Sequence, residues 1–468
     1  MDASDVPERF RSAERPRLRR LMASRGWRSV LDDADFVEWC RQTRLPASAP
    51  PSQLRGVPQY LIRTNGPQVE KMVDAGVTDR ERLVEALGDW RQALAHDHEH
   101  PLLFLGLTVT TRCSFRPRCL YCNQIRADDR IGIARFKELV TEAARPEPPY
   151  VYITGGEPLL LGEDIWGPKG LAAHAASLGC AVNINTNAAL ISPRVAMHLV
   201  RSGVTRLHVS LDSADAETQA ALFGRKVRVA QVRRGIRNVL IARELLDSEH
   251  PRVHINCVVT NRNYAQVPEL LEAVWALAPE QQGQTGLDDF AFHLIPVGGA
   301  SNAPLRPSAA EWKRFYTEVW DRADRVWQAE QLRRGVADAD RRPLAEVVPF
   351  ANSFLRVDHH MSLDEYCHLA AEGVYWQGAL CEKCWVAPSQ ACVLPDGSQH
   401  WCGGHAIRRP PALGNAATTG LRDNIRASLD GLADLPGPYC TGCAGATCVI
   451  NQSTRSALYA HVDGLLAA

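Results

Sequence analysis

The chain has 468 residues, more than one hydrophobic core usually serves, so two or three domains are expected. Its 53 lysines and arginines balance 53 aspartates and glutamates, which leaves no net field to draw a polyanion or an anionic membrane and argues against nucleic acid as a partner. No apolar run approaches the roughly 18 residues of a membrane span, and the first twenty residues (MDASDVPERFRSAERPRLRR) lack the apolar core of an export signal, so the expectation is a cytoplasmic protein.

Residues 1–100 read as a helical extension: an Arg-rich start, a segment over 33–44, a break at PASAPPSQ, then helical apolar spacing over 69–95. The HDHEH stretch at 96–100 offers ligand chemistry, but adjacent positions converge poorly on one ion, so it reads as a solvated linker.

From Leu102 the pattern changes to short apolar runs separated by helical stretches, the signature of consecutive strand–helix units and a parallel sheet. Six strands are predicted over 102–111, 150–154, 181–186, 206–211, 253–260 and 289–295, with helices such as 135–144, 193–202 and 229–246 between them. The fold class is α/β: a partial (β/α)6 TIM-like barrel over 101–300, with chemistry expected after the C-terminal strand ends.

The first strand is followed by TTRCSFRPRCLYCN, which places Cys113, Cys119 and Cys122 on one short loop with five and two intervening residues. In a long chain without an export signal such cysteines read as metal ligands rather than disulfides. Three thiolates can hold three irons of a 4Fe-4S cube and leave the fourth iron open. The alternative is zinc, which would want a fourth nitrogen or sulfur ligand nearby, and none follows at useful spacing.

The second strand runs into Gly155-Gly156-Glu157-Pro158, where two glycines permit close approach to the backbone and Glu157 offers an acceptor for an ammonium. Asn185, Thr186 and Asn187 end the third strand, Ser210 and Asp212 the fourth, and VVTNRN, with Val258 and Val259, the fifth. Cys180 and Cys257 read as buried small hydrophobes, and His208 and His254 as satisfied interior histidines.

Together the three-cysteine loop, Tyr121 before its last cysteine and the GGEP segment one strand later resemble the radical S-adenosylmethionine (SAM) superfamily, although the first cysteine interval here is five residues where the superfamily usually has three. The resemblance implies that Cys113, Cys119 and Cys122 hold a SAM-binding 4Fe-4S cluster. It implies further that Tyr121, Gly155, Gly156, Glu157, Asn187, Ser210, Asp212, Arg225 and Val259 contact the cofactor. The expected chemistry is reductive cleavage of SAM to a 5'-deoxyadenosyl radical that abstracts a substrate hydrogen, with electrons from a donor such as ferredoxin or flavodoxin.

Residues 301–365, with Trp312, Phe315, Trp320 and Trp327 in a helical pattern, read as bridging helices. Beyond them CEKCWVAPSQACVLPDGSQHWCGGH and YCTGCAGATC resemble the SPASM or shorter twitch domain that follows the barrel in part of the superfamily. That implies a Cys-rich auxiliary iron–sulfur domain over 366–468. Its ligands would come from Cys384 or Cys381 with Cys402, Cys440 and Cys443; Cys448 and the remaining cysteines leave room for a second auxiliary 4Fe-4S cluster. A zinc ribbon from Cys381, Cys384, Cys440 and Cys443 is the alternative. Such auxiliary domains accompany enzymes that modify ribosomally synthesised peptides and, less often, small natural-product precursors, so a peptide maturase is expected and a small-molecule tailoring enzyme is its rival; a non-catalytic zinc or iron–sulfur protein leaves GGEP unexplained.

Overall fold

A computed structural model of the chain describes residues 25–50, 53–97, 100–115, 117–122, 128–223, 228–277, 290–298, 300–348, 362–373, 383–403, 411–435 and 446–468. Single-turn segments aside, the helices before the sheet are α1 (Arg25–Leu31), α2 (Ala34–Gln42), α3 (Gln53–Asp74), α4 (Arg80–Leu87) and α5 (Trp90–His96). Asp33, Asp79 and Asp89 cap α2, α4 and α5 by accepting backbone N–H bonds in their first turns, which is why each helix starts where it does.

The strand–helix alternation then runs β1 (Phe104–Thr108), α6 (Ile133–Ala143), β2 (Tyr150–Thr154), α7 (Leu171–Ser177), β3 (Ala181–Thr186), α8 (Pro193–Arg201), β4 (Val204–Ser210), α9 (Ala216–Phe223), α10 (Arg228–Leu245), β5 (Arg252–Val259), α11 (Val267–Trp275) and β6 (Phe290–Pro296). Each of these strands pairs in parallel with its predecessor. The six predicted strands and the partial-barrel topology are thus present, with ends shifted by a few residues at β1 and by one or two at β4, β5 and β6.

One strand face is apolar and covered by helices: Leu105, Leu107, Val151, Ile153, Val182, Ile184, Leu207, Val209, Val253, Ile255, Phe292 and Leu294 all lie in the main core. The alternate residues make a polar inner face. There Tyr152 of β2 meets His208 of β4 with ring centroids 5.6 Å apart, and His208 meets His293 of β6 at 4.9 Å. Next-but-one strands in a flat sheet lie about 9.6 Å apart, twice the usual 4.8 Å spacing, so these contacts require the sheet to curl around a lumen. The barrel is partial: among the described strands the order is β6-β5-β4-β3-β2-β1 followed by the C-terminal strands β7 (Gln390–Val393), β8 (Ser398–His400) and β9 (Gly414–Asn415), with β6 and β9 at the two ends.

The C-terminal part begins after a bridge of α12 (Ala309–Arg314), a π-helical turn (Phe315–Val319), α13 (Trp320–Arg333) and α14 (Leu363–Glu372), whose tryptophans are buried in the core. A hairpin of β7 (Gln390–Val393) and β8 (Ser398–His400), followed by β9 (Gly414–Asn415), α15 (Leu421–Ala427) and α16 (Ala446–Ala467), completes it. Strand β7 pairs in parallel with β1, Phe104 opposite Gln390, so the hairpin extends the barrel sheet.

The helical extension divides between two surfaces. Helix α2 packs on α8, Trp27 Nε1 donates to Asn238 Oδ1 at 3.0 Å, and Arg41 reaches Leu245 O at 2.6 Å, all on the barrel's outer layer. Helices α3 and α4 pack on α16, and Trp90 Nε1 donates to Trp385 O at 2.7 Å, which ties the beginning of the chain to its end. His100, expected in a solvated linker, is fully buried: its Nε2 donates to Pro388 O at 3.0 Å, and its own carbonyl accepts from Arg422 Nε.

Candidate SAM and iron–sulfur site

The C-terminal ends of β1 to β5 converge on the three-cysteine loop. Thr110 Oγ1 donates to Asp129 Oδ2 at 2.7 Å and the Thr111 N–H to Asp129 Oδ1 at 3.0 Å, which fixes where the loop leaves β1. Within it Phe115 N–H points at Cys113 Sγ (3.4 Å), Cys122 N–H bonds to Cys119 O (3.1 Å), and Cys113, Cys119 and Tyr121 lean on the small cluster of Phe115, Leu222 and Phe223. The three thiols are half-buried and unbridged.

The glycines of GGEP serve this loop directly. Gly155 has φ +141, and a Cβ there would stand 2.3 Å from Thr110 O; a Cβ on Gly156 would stand 2.1 Å from Arg112 O. In the space so freed, Gly156 N–H bonds to Thr110 O and Glu157 N–H to Arg112 O, both at 2.8 Å. What approaches these glycines is therefore the cysteine loop's own backbone.

Glu157 is fully buried and its carboxylate is engaged inside the protein. Oε1 accepts from Leu159 N–H (3.1 Å) and Thr186 Oγ1 (2.8 Å), and Oε2 accepts from Asn187 N–H (2.8 Å). Burial raises its pKa to about 7 against the opposing pull of those three bonds. Asn187 in turn donates from Nδ2 to Ser114 Oγ at 3.0 Å, closing a ring from β2 through β3 back to the loop.

Asp212 plays the matching part on the other side. It is buried, accepts the Tyr121 hydroxyl proton on Oδ2 and Val258 N–H on Oδ1 (2.8 Å), and burial likewise raises its pKa to about 7. Tyr121 is thereby pinned beside Cys122. The side chains of Glu157, Asn187 and Asp212, expected as cofactor contacts, also make these hydrogen bonds within the protein, which hold them at the strand ends.

Ser210, half-buried on the inner face, is left as a polar strand-end group. Of the two valines, Val259 sits in the main core beneath the helices while Val258 is half-buried on the inner face, because strand residues alternate, so Val258 is the one that faces the lumen. Arg225 lies outside the described residues.

Several supports were not singled out by sequence. Asp129 anchors the loop, Gln219 Oε1 accepts the N–H groups of Asp212 and Ser213 (3.0 and 2.7 Å), Asn263 Nδ2 bonds to Asp212 O and Val258 O (both 2.9 Å), and Asn302 Nδ2 reaches Tyr121 O (3.2 Å). Asn263 stands within the VVTNRN stretch and could have been read as a turn-former; the other three carry no local signal.

In the C-terminal unit, Cys384 and Cys402 are half-buried and Cys402 lies just beyond the β7–β8 hairpin. Gly397 closes that hairpin with φ +96, and a Cβ there would stand 2.2 Å from Asn415 Oδ1. Cys392 is buried against Gly106 of β1, and Cys367 is buried on α14 within the main core. Cys381, Cys440 and Cys443 lie outside the described residues, and of Cys448 only its place on α16 is described.

Residues 107–274, from β1 to the end of α11, match the Radical SAM superfamily. This chain carries a radical SAM domain. The domain is similar to GTP 3',8-cyclase 2 of Pseudomonas aeruginosa, 34% identical over 212 residues, which are 43% of this chain and 56% of the relative. It is also similar to the mycofactocin maturase MftC of Mycobacterium tuberculosis, 28% identical over 210 residues, 44% of this chain and 49% of the relative. The chain thus matches about half the length of these curated relatives, both of which are named as enzymes. Among solved structures, Streptococcus suis SuiB is similar with a TM-score of 0.48 and 17% identity, covering 79% of this chain and 76% of that one.

A radical SAM domain holds a 4Fe-4S cluster and SAM, and the residues present suit them. Burial raises the pKa of Cys113 and Cys119, and the carboxylates of Glu157 and Asp212 with the neighbouring thiols add to the rise, so these two thiols ionise readily only beside positive charge such as cluster iron supplies. Cys113, Cys119 and Cys122 would hold the cluster; Ser210 and Val258 line the inner face below.

Proposed function

We propose that this protein is a radical SAM enzyme that modifies a ribosomally synthesised peptide. The observation that carries the radical SAM part is the lacing of the three-thiol loop to GGEP through Gly155, Gly156 and Glu157 on one side and to Asp212 through Tyr121 on the other. The bound cluster and SAM would supply the chemistry, reductive cleavage that yields a hydrogen-abstracting radical. The chain's own residues orient that event. Tyr121 is held by Asp212, Asn187 steadies Ser114 beside Cys113, and Phe115, Leu222 and Phe223 exclude water from one flank of the loop.

The peptide reading is supported by the likeness to a maturase by name, the mycofactocin maturase MftC, and by the cysteine-bearing hairpin joined to β1, where Cys384 and Cys402, with Cys381, Cys440, Cys443 and Cys448, would bind one or two auxiliary clusters. A ferredoxin or flavodoxin would deliver the electron. The rival reading, a small polar substrate, is favoured by the polar lumen of Asn183, Asn185, Arg206, His208, His254, Asn256 and His293 and by the likeness to a GTP cyclase.

The test is anaerobic reconstitution with iron and sulfide, followed by an assay of 5'-deoxyadenosine from SAM and dithionite and mass spectrometry of two offered substrates, GTP and the short peptides encoded beside the gene. Formation of 5'-deoxyadenosine with a mass change in a peptide supports the proposal. A change in GTP alone moves the assignment to the rival, and colourless zinc protein without product overturns both.

A further inference from the structure

Inside the lumen, beneath the strand ends that carry the radical SAM site, three histidines meet. His208 of β4 lies opposite His254 of β5 in the strand register, and His293 of β6 stands one layer higher, opposite Asn256. His208 and His254 stack with centroids 5.0 Å apart, and His293 presents its edge to both, at 4.9 and 5.1 Å. One nitrogen from each falls within 4.8 Å of the other two.

The set is not satisfied as a hydrogen-bonded group. His254 Nδ1 and His293 Nε2 share a contact of 3.3 Å, which can use one proton, while His208 Nε2 is buried without a partner although the residue is only 8% exposed. Asn256 Oδ1 and both side-chain polar atoms of Asn183, on the same inner face, are also buried and unpartnered. Leaving a buried imidazole nitrogen bare is unfavourable, so the arrangement calls for an occupant.

We propose that His208, His254 and His293 form a three-histidine site for a divalent transition-metal ion of the zinc class, separate from the iron–sulfur thiols. Tetrahedral coordination at about 2.05 Å sets ligand nitrogens about 3.3 Å apart, the spacing that His254 and His293 already have, and modest ring rotation brings in His208. Desolvation keeps all three imidazoles neutral, the form that ligates.

Three protein ligands leave one coordination position open, as in metal sites that bind water or substrate. Arg206 precedes His208 by two residues on the same face, and its guanidinium disfavours extra positive charge there. That charge counts against a bare dication as well, and an anionic oxygen in the fourth position, bound hydroxide or a substrate oxyanion, would offset it.

The test uses the full chain reconstituted with its iron and sulfide, equilibrated with zinc alone, desalted and analysed for metal. About one zinc per chain is expected in the wild type and about a tenth of that in His208→Ala and His293→Ala, with iron and sulfide unchanged. Should the alanine variants lose iron or far-ultraviolet dichroism, His254→Gln replaces them. Zinc-edge X-ray absorption decides the donor type: imidazole nitrogen supports the site, whereas sulfur scattering, equal zinc in all folded variants, or no retained zinc in the wild type overturns it.

Discussion

The Glu157 carboxylate accepts the Asn187 N–H at 2.8 Å, joining the end of β2 to the end of β3 at the place where Asn187 also holds the cysteine loop through Ser114. Glu157→Gln sets an amide N–H₂ against donors that now find acceptors. The expected cost is about 2 kcal/mol of stability with a tenfold or greater fall in 5'-deoxyadenosine formation. Denaturant melts and product assay on one preparation check it; an unchanged melt would remove the strut role.

Tyr121→Phe deletes the proton that Asp212 Oδ2 accepts and leaves that buried carboxyl with Val258 N–H as its remaining bond among those described above. Iron content should persist because the cysteines stay, while stability drops by about 1–3 kcal/mol. Iron counting beside thermal unfolding separates the two; loss of the first cluster would mean that Tyr121 is needed for ligation itself.

Gly156→Ala forces a methyl to within 2.1 Å of Arg112 O, so the loop backbone must move. The variant should assemble little of the SAM-binding cluster. Gly132→Ala, with nothing within 4 Å of its added Cβ, should be unaffected. Mössbauer and iron analysis of the pair provide the comparison.

Cys119→Ala and Cys122→Ala should each remove one cluster's iron and abolish SAM cleavage, whereas Cys402→Ala with Cys443→Ala should lower iron while leaving the first cluster in place. Electron paramagnetic resonance of the reduced proteins distinguishes the outcomes, and unchanged iron in the second pair would dismiss auxiliary ligation.

His100 is buried with a pKa lowered to about 4 by desolvation, against 6.5 when exposed. The unfolded chain takes up the proton first, so the stability this neutral histidine allows is present above about pH 6.5 and lost as pH falls towards 4, up to about 3 kcal/mol in all. His100→Gln can still donate to Pro388 O and should flatten the acid limb of a stability–pH curve measured by urea unfolding.

The barrel was legible because buried parallel strands and their covering helices write their periods plainly, as at YVYIT and AVNINT. The cysteine loop and GGEP were legible as chemistry, but the bonds that Glu157 and Asp212 make within the protein were not, because sequence shows a polar strand end without showing what it faces. Helix α3 was missed over 53–68, where Pro58 and Pro67 argue against a helix; packing on α16 outweighs the lost backbone bonds. His208 and His254 read as satisfied core because each stands alone in its strand, and His293 carried no signal at all; only the curl of the sheet brings them together.

Strand β1 carries the cysteine loop at its end, yet one of its two edges is covered by β7, Phe104 opposite Gln390. During synthesis that edge stays bare until most of the chain has left the ribosome, a late closure between residues far apart in sequence. An unprotected strand edge beside the nascent thiol loop is an aggregation hazard that also leaves the loop's supporting strand without its neighbour. Chains cut short before the hairpin should therefore accumulate as insoluble, iron-poor material even though every residue of the barrel has been made.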